Sequence, residues 1–557
     1  MMYPDLETLR RGSDADKVDV NCSSYFQANC NQIFEKGPAF TKEILGKVHA
    51  EMMPKRTQLF GYEMKTGKLF LVTGLCMIFL FSCFGTTVML FTNLFDNYVL
   101  SQLIISNGSD AFRIWENPTP KALYSFHIFN YTNIGDYELG NDKKPHVQEI
   151  GPYVYSENLE RIDVRFNDEA GTVSYREKKT YTYRPDLSQG SQEDRAFVPN
   201  IPLISGSSMV QKENYFARLG FSGLLSALEE KAFLHIDIDS FISGYEDRLY
   251  SLSANYFKWQ NVDIPKRVGL LGPKVGESNK FITMNTGIKD INRLALVEEM
   301  GGEESLGLYA ADSCNSIEGT DGSMYPPKLI REKQPLHIMF PEFCRRIPIV
   351  FMGETKIMEG KVPAYTYTIP EDVFDTPDTK PENECFCVLD GGKCPLKGLS
   401  STSGCNYGSP IYLSYPHFHN ADPRLLKDVT GLDPESVDFR SYLNLQPSMG
   451  FMMTGRNVMQ LNIKVNKAFG VSQVDIFEDE IVLPIAWVEV FLDEPNLPKE
   501  FVDLINFVSI TLPCVQLVAT YGSLLTSIFS FIGILLVARR IKNDNNFCLQ
   551  RISRDDA

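Results

Sequence analysis

The chain has 557 residues, 43% hydrophobic and 22% charged, a balance ordinary for a globular protein. Its formal net charge of -16 argues against a nucleic-acid partner, which needs a basic surface. By length it could hold several domains. Two uncharged runs, Leu69 to Phe95 and Leu504 to Ala538, reduce that count. Each exceeds the roughly 20 apolar residues with which an α-helix crosses a bilayer.

Residues 1 to 68 read as a polar tail, charge-rich and disordered through Asp19. Tyr3, Leu6 and Leu9 fit a sorting signal or a merely solvated tail, and the helical spacing from Ile33 to Leu59 is interrupted by Gly37-Pro38 and Pro54. Lys55, Arg56, Lys65 and Lys68 precede the first run, and Asp96 follows it with no cation until Arg113. Arg539, Arg540 and Lys542 follow the second run. The excess of cations on these flanks places both tails in the cytoplasm and residues 96–503 outside. A cleaved signal peptide would be shorter and nearer the N-terminus. Gly74, Ser82, Cys83 and Gly85 in the first run are small enough to admit another helix, as a self-association surface or by coincidence.

After the first run the texture changes. Ala122 to Phe129, Val147 to Ile150, Tyr153 to Tyr155 and Thr180 to Tyr183 are rich in aromatic and β-branched residues. Asn117-Pro118, Gly140-Asn141, Gly151-Pro152 and Asn167-Asp168 punctuate them as turns. This is the pattern of antiparallel strands. From Ser207 to Tyr250, Phe216, Leu219, Leu224, Leu225, Leu228 and Phe233 recur at helical intervals, which predicts a helical cluster set into a β domain. Strands return at Phe281 to Met284 and are clearest at Thr366 to Ile369, Pro410 to Leu413, Val458 to Val465 and Ile485 to Phe491. Six of the twelve cysteines, Cys314, Cys344, Cys385, Cys387, Cys394 and Cys405, cluster in the exposed part and suggest three disulfides among 15 connectivities. Cys385-x-Cys387 has a zinc reading as the rival, with no histidine at a recognised spacing nearby. Asn107-Gly-Ser and Asn130-Tyr-Thr are glycan acceptor sequences on the outer side. Asn21-Cys-Ser, Cys22, Cys30 and Cys548 fall in the cytoplasmic tails, where Cys548 is near enough to the membrane for palmitoylation.

Several motifs then occur in order between the two runs: Trp115-Glu-Asn-Pro-Thr-Pro, Glu149-Ile-Gly-Pro-Tyr-Val-Tyr, Gly244-Tyr-Glu-Asp, Cys314-Asn-Ser-Ile-Glu-Gly-Thr-Asp-Gly-Ser with Pro326-Pro327, Cys385-Phe-Cys, Pro416-His-Phe and Pro484-Ile-Ala-Trp487. With these the chain resembles the class B scavenger receptors. The resemblance implies a membrane protein with two transmembrane helices and a mainly antiparallel, β-barrel-like ectodomain. It further implies a lipid tunnel opening near the bilayer and a helical bundle at the apex, about residues 205–250. It also implies the pairs Cys314–Cys385, Cys344–Cys405 and Cys387–Cys394, the last enclosing the Gly391-Gly392 bend. Two departures stand out. The family's Leu-Trp-Gly-Tyr is here Ile242-Ser243-Gly244-Tyr245, so the packing must differ. The apex, from Ser205 to Asp247, has three cations (Lys212, Arg218, Lys231) against seven acids (Glu213, Glu229, Glu230, Asp237, Asp239, Glu246, Asp247), a net of -4. Such a field repels an anionic particle over a Debye length of ~8 Å and favours neutral cargo, unless the acids merely solvate a helix. Lys231, with Phe216 and Phe233, is the candidate ligand contact by loose correspondence with the family's lipid-contacting lysines; a solvent-facing lysine is the alternative.

Common nucleophile-elbow, zinc-protease, phosphate-loop and dinucleotide motifs do not occur. His417, inside a motif, reads as a packed, hydrogen-bonded residue. No cofactor, metal or catalysis is expected. The expected function is a plasma-membrane receptor binding lipid or lipoprotein and passing neutral lipid, sterol, carotenoid or fatty acid to the membrane, with an endosomal or lysosomal location second. The alternative is a sorting, adhesion or phagocytic receptor that grips a protein with its apex. Homo-oligomers are compatible with either.

Overall fold

The computed structural model describes residues 56–59, 62–119, 121–259, 262, 264–390, 393–436 and 439–555. The tail through residue 55, with Tyr3, Leu6, Leu9, Cys22 and Cys30, lies outside the described residues, as do the Gly391-Gly392 bend and the side chain of Cys548. Two compact units result, one containing both apolar helices and the other spanning Asp96–Ser509.

The first apolar helix covers Thr66–Phe91 and the second Leu512–Asp555. At 1.5 Å per residue, the 26 residues of the first reach about 39 Å, enough for a hydrocarbon core of about 30 Å. Their outer faces are apolar and uncovered, with Phe81, Phe84 and Phe529 each about two-thirds exposed. Their shared face is a hydroxyl seam. Ser527 Oγ bonds Ser82 Oγ at 2.9 Å, Thr86 Oγ1 donates to Ser523 Oγ at 3.0 Å, and Phe79 meets Phe531 at 5.7 Å. Thus Ser82 and Gly85, small residues suited to self-association, receive the chain's own second helix. A side chain added at Gly74 would meet nothing within 4 Å.

The second unit is built on a fourteen-stranded antiparallel sheet. Its first strands are β1 (Leu123–Tyr131), β2 (Val147–Asn167) and β3 (Thr172–Tyr183). Next come a separate pair, β4 (Arg195–Pro199) and β5 (Phe233–Asp237). The sheet resumes with β6 (Gly276–Glu277), β7 (Ile282–Asn285), β8 (Val297–Met300), β9 (Leu336–Phe340), β10 (Arg345–Ile357) and β11 (Val362–Thr368). It closes with β12 (Ser400–Ser401), β13 (Ile411–Ser414), β14 (Tyr442–Leu445), β15 (Met452–Lys464) and β16 (Val482–Leu492). The main path runs β8-β7-β3-β2-β1-β16-β15-β14-β11-β10-β9. Its two ends are joined through one short stretch. Val297 N donates to Gly319 O at 2.8 Å, Thr320 N to His337 O at 3.0 Å, and Met339 N to Thr320 O at 2.9 Å. A Cβ at Gly319 would sit 3.1 Å from the His337 carbonyl, so the closure depends on the bare backbone there. The sheet is therefore nearly a barrel, which protects its edges.

Gly151-Pro152 is not a turn. It lies inside β2, beside an irregularity in the pairing with β1. Residues 201–259, the stretch expected to form the apex, hold four helices, α1 (Ile201–Val210), α2 (Tyr215–Ala227), α3 (Ile238–Ser243) and α4 (Arg248–Trp259). Asn200, Asn214 and Asp237 cap the first three by accepting from Leu203 N, Ala217 N and Ser240 N. The helical spacing was expected to run through Phe233, but Phe233 opens β5. Apolar and polar residues alternate after it, Leu234-His235-Ile236-Asp237, and pairing with β4 prevails over the local period. Where the family aromatic is missing, Phe241 and Ile242 are fully buried and fill the space ahead of Ser243.

Candidate functional site

In an antiparallel pair, opposite residues share a face, and faces alternate along each strand. Tyr124 stands opposite Tyr155 and Val490, and Glu157 opposite Tyr181, so these side chains point the same way. Val488, opposite both Phe126 and Met459, continues that face. Farther round, Leu443 faces Tyr367, Tyr367 faces Phe351, and Ile347 faces Ile338. Ile338, Ile347, Tyr367 and Leu443 form one buried cluster on this inward side. Yet Tyr124, Tyr181, Val488, Val490, Phe340 and Phe343 on or beside it remain only half-buried. Phe351 and Tyr365 stand at a rim. There Lys333 reaches over both rings, at 4.8 and 5.4 Å, and pairs with exposed Glu354 at 2.9 Å.

Two sheltered polar centres brace this sheet. On the outward face, Glu149 accepts from His127 Nδ1 at 2.8 Å, His417 Nε2 at 2.6 Å and Trp487 Nε1 at 3.1 Å. His417 Nδ1 accepts from Asp433 N at 3.1 Å, which leaves the proton on Nε2 facing the carboxylate. His127 stacks on Trp487 at 3.6 Å. Burial works against the Glu149 charge, but the bonds from His127, His417 and Trp487 prevail and hold its carboxyl well below the usual range. The three motifs that contribute Glu149, His417 and Trp487 thus meet at one carboxylate, and His417 is a packed, hydrogen-bonded residue. The second centre is Arg161, buried 4.8 Å from the Trp115 ring and 5.5 Å from Tyr175, with Nη2 donating to Asp321 Oδ2 at 2.6 Å. It links the motif of Trp115 to that of Asp321. Every one of these residues except His127, Arg161, Tyr175 and Asp433 lies in a stretch that carried the resemblance. Only the fold brings them together.

The cysteines form the bonds Cys314–Cys385, Cys344–Cys405 and Cys387–Cys394, with Cα separations of 6.3, 5.6 and 4.2 Å. Arg345 lies against them, its guanidinium 3.9 Å from the Phe386 ring and bonded to Ser400, Asn383 and the Val373 carbonyl. Asn107 is exposed, and Asn130 is half-buried with Oδ1 accepting from Phe197 N. The ligand candidates do not converge. Lys231 is exposed, Phe216 is 80% exposed on α2, and Phe233 packs in the core against Tyr131 and Phe477. Several apex acids serve the fold. Asp237 caps α3, Asp239 accepts from Tyr155 and Gln192, Asp247 accepts from Tyr250 N, and Glu230 accepts from Asn200. Glu213, Glu229 and Glu246 are the exposed ones.

Comparison with known proteins agrees with this architecture. The family model described as "CD36 family" matches residues 72–538. Scavenger receptor class B member 1 of Rattus norvegicus is 32% identical over 405 residues, covering 72% of this chain and 76% of its own. The Bos taurus protein of that name is 31% identical over 424 residues, covering 76% and 79%. Lysosome membrane protein 2 of Homo sapiens is 30% identical over 373 residues, covering 67% and 75%. With its family match spanning most of the sequence, its two apolar helices and its near-closed antiparallel sheet, the chain belongs to the CD36 family of class B scavenger receptors.

Proposed function

We propose that this chain is a cell-surface receptor that takes up lipid or lipoprotein and conducts apolar lipid through the interior of its sheet to the membrane. Both helices cross the bilayer, both ends are cytoplasmic, and residues 96–503 lie outside with glycans on Asn107 and Asn130. The observation that carries the reading is the half-buried inward face. Rings and aliphatic groups on the enclosed side of a nearly closed sheet keep accessible surface beside fully buried neighbours. An apolar lining of this kind suits cargo whose exposure to water costs about 0.8 kcal/mol per CH₂. No energy source is needed, because cargo runs down its own gradient. Mass spectrometry of lipid carried by the purified full-length chain tests this. Apolar lipid co-purifies with the wild type and is lost from Val490→Trp, whose indole fills the interior beside Tyr124. Equal lipid on both proteins at equal yield contradicts the reading.

A second reading has its own observation. Phe216 and Phe469 are 80% and 76% exposed at the apex, with Tyr215 lying 6.0 and 6.4 Å from them. This aromatic patch suits a protein partner and a sorting or adhesion role, at the plasma membrane or in endosomes and lysosomes. Phe216→Ser abolishes protein capture and leaves free-lipid uptake intact if that role dominates.

A further inference from the structure

The inward face carries charge as well as rings. Tyr124 Oη and Tyr181 Oη donate to the same Glu157 oxygen, Oε1, at 3.2 and 2.8 Å. Glu157 Oε2 has no hydrogen-bond donor among the described residues. Two and four positions before Tyr181 on β3, and so on the same face, Lys179 pairs with Glu177 at 2.8 Å. From the end of β9, Glu342 pairs with Lys274 at 3.3 Å and lies close enough to act on Tyr124, Lys179 and Tyr181. Lys179, Glu177, Lys274 and Glu342 keep between 16% and 34% of their side-chain surface accessible. They are therefore sheltered but not sealed.

We propose that these groups form a polar waist across the interior, which admits uncharged lipid alcohols such as sterols and turns back ionised fatty acids. The inference rests on the reading of the interior as a lipid passage. Arg161, directly opposite Glu177, is matched by Asp321, so two ammonium groups against three carboxylates leave the waist one negative charge. Each ammonium already has a carboxylate partner. Capturing a fatty-acid anion would pull a lysine from its partner and leave a sheltered carboxylate uncompensated, which costs more than the new contact returns. A hydroxyl meets no such conflict. It can donate to Glu157 Oε2 while accepting from a neighbouring donor. Glu342 in particular stays ionised through the physiological range. Burial opposes ionisation of Glu342, but Lys274 and Lys179 prevail and hold its carboxyl at about 2.

The test is uptake of cholesterol and of oleate by cells displaying the full-length chain, each normalised to surface level and corrected for untransfected cells. The wild type favours cholesterol. Glu342→Gln frees Lys274 and raises the oleate-to-cholesterol ratio by roughly fivefold to tenfold, the effect of one unit charge about 4 Å away in the water-like surroundings that these partly accessible groups keep. Tyr181→Phe keeps the ring and removes a hydroxyl, and it lowers cholesterol uptake without raising oleate. Val490→Trp stops both lipids. An unchanged ratio in Glu342→Gln, together with unchanged cholesterol uptake in Tyr181→Phe, overturns the waist when Val490→Trp still stops both lipids. If Val490→Trp leaves both lipids moving at a normal surface level, the passage itself is overturned and the waist with it.

Discussion

Replacing Glu149 by glutamine puts the convergence of motifs to a quantitative test. Three N–H groups, from His127, His417 and Trp487, meet its two oxygens, and its side chain is 31% exposed. Glutamine keeps one oxygen and presents an NH₂ where the other was, so either a ring N–H faces a donor or His127 must give up its Nδ1 proton and carry it on Nε2, towards Ser125. A sheltered donor left without a partner costs about 1–3 kcal/mol, and trading charge-assisted bonds for neutral ones costs about 1 kcal/mol more. Allowing for partial water access, the loss comes to about 3 kcal/mol, or roughly 4 °C in melting temperature for a unit of this size. The assay is thermal unfolding of the purified full-length protein by tryptophan fluorescence. Trp487, one of three tryptophans, sits at the perturbed centre. The variant should also show altered Trp487 emission before melting. The sign with pH follows from the depressed carboxyl. Its contribution is complete above its unfolded pKa of about 4.3 and fades as pH falls below that, so wild type and variant converge in acid. Melting within about 1 °C of wild type at pH 7, with unchanged emission, would refute the reasoning.

Other perturbations test other parts of the fold. Burial, then Arg346, lowers the His337 imidazole to about 4, so the native state resists a proton that the unfolded chain accepts. Stability therefore drops as pH falls from about 6.5 to about 4 by on the order of 2 kcal/mol after discounting partial exposure, and His337→Gln flattens that slope in acid-unfolding curves. At Gly450, with φ +82°, a Cβ would collide with the Tyr325 carbonyl. Gly450→Ala should cost at least about 3 kcal/mol and appear as loss of surface delivery. In the apolar helices, cysteines placed at Ser82 and Ser527, whose hydroxyls are 2.9 Å apart, should cross-link within one chain, whereas Gly74→Cys with Ser527→Cys should not.

What could be read in the sequence depended on whether the signal was local. Uncharged runs mark the apolar helices because each residue contributes independently to burial in lipid. The strands around Leu123, Val458 and Ile485 were legible because aromatic and β-branched residues repeat within a few positions. Phe233 was misread as helical because its place in β5 depends on β4, more than thirty residues earlier. Gly151-Pro152 looks like a turn by composition, yet it occupies an irregular point in a long strand. The charge count of the apex could not distinguish Asp237 and Asp239, spent on a cap and on Tyr155 and Gln192, from exposed Glu213. The Glu149 centre and the waist at Glu157, Lys179 and Glu342 gather residues from distant strands. No periodicity announces them, although Glu149, His417 and Trp487 each lay within a motif.

The central claim is that apolar lipid moves through the interior of the sheet. Uptake of cholesterol by cells displaying Val490→Trp, compared with wild type at matched surface level, tests it most directly. A conducting interior requires uptake to fall to the level of untransfected cells while the protein's melting temperature and surface level hold. Uptake equal to wild type would contradict it and leave the exposed aromatic apex as the working surface of the receptor.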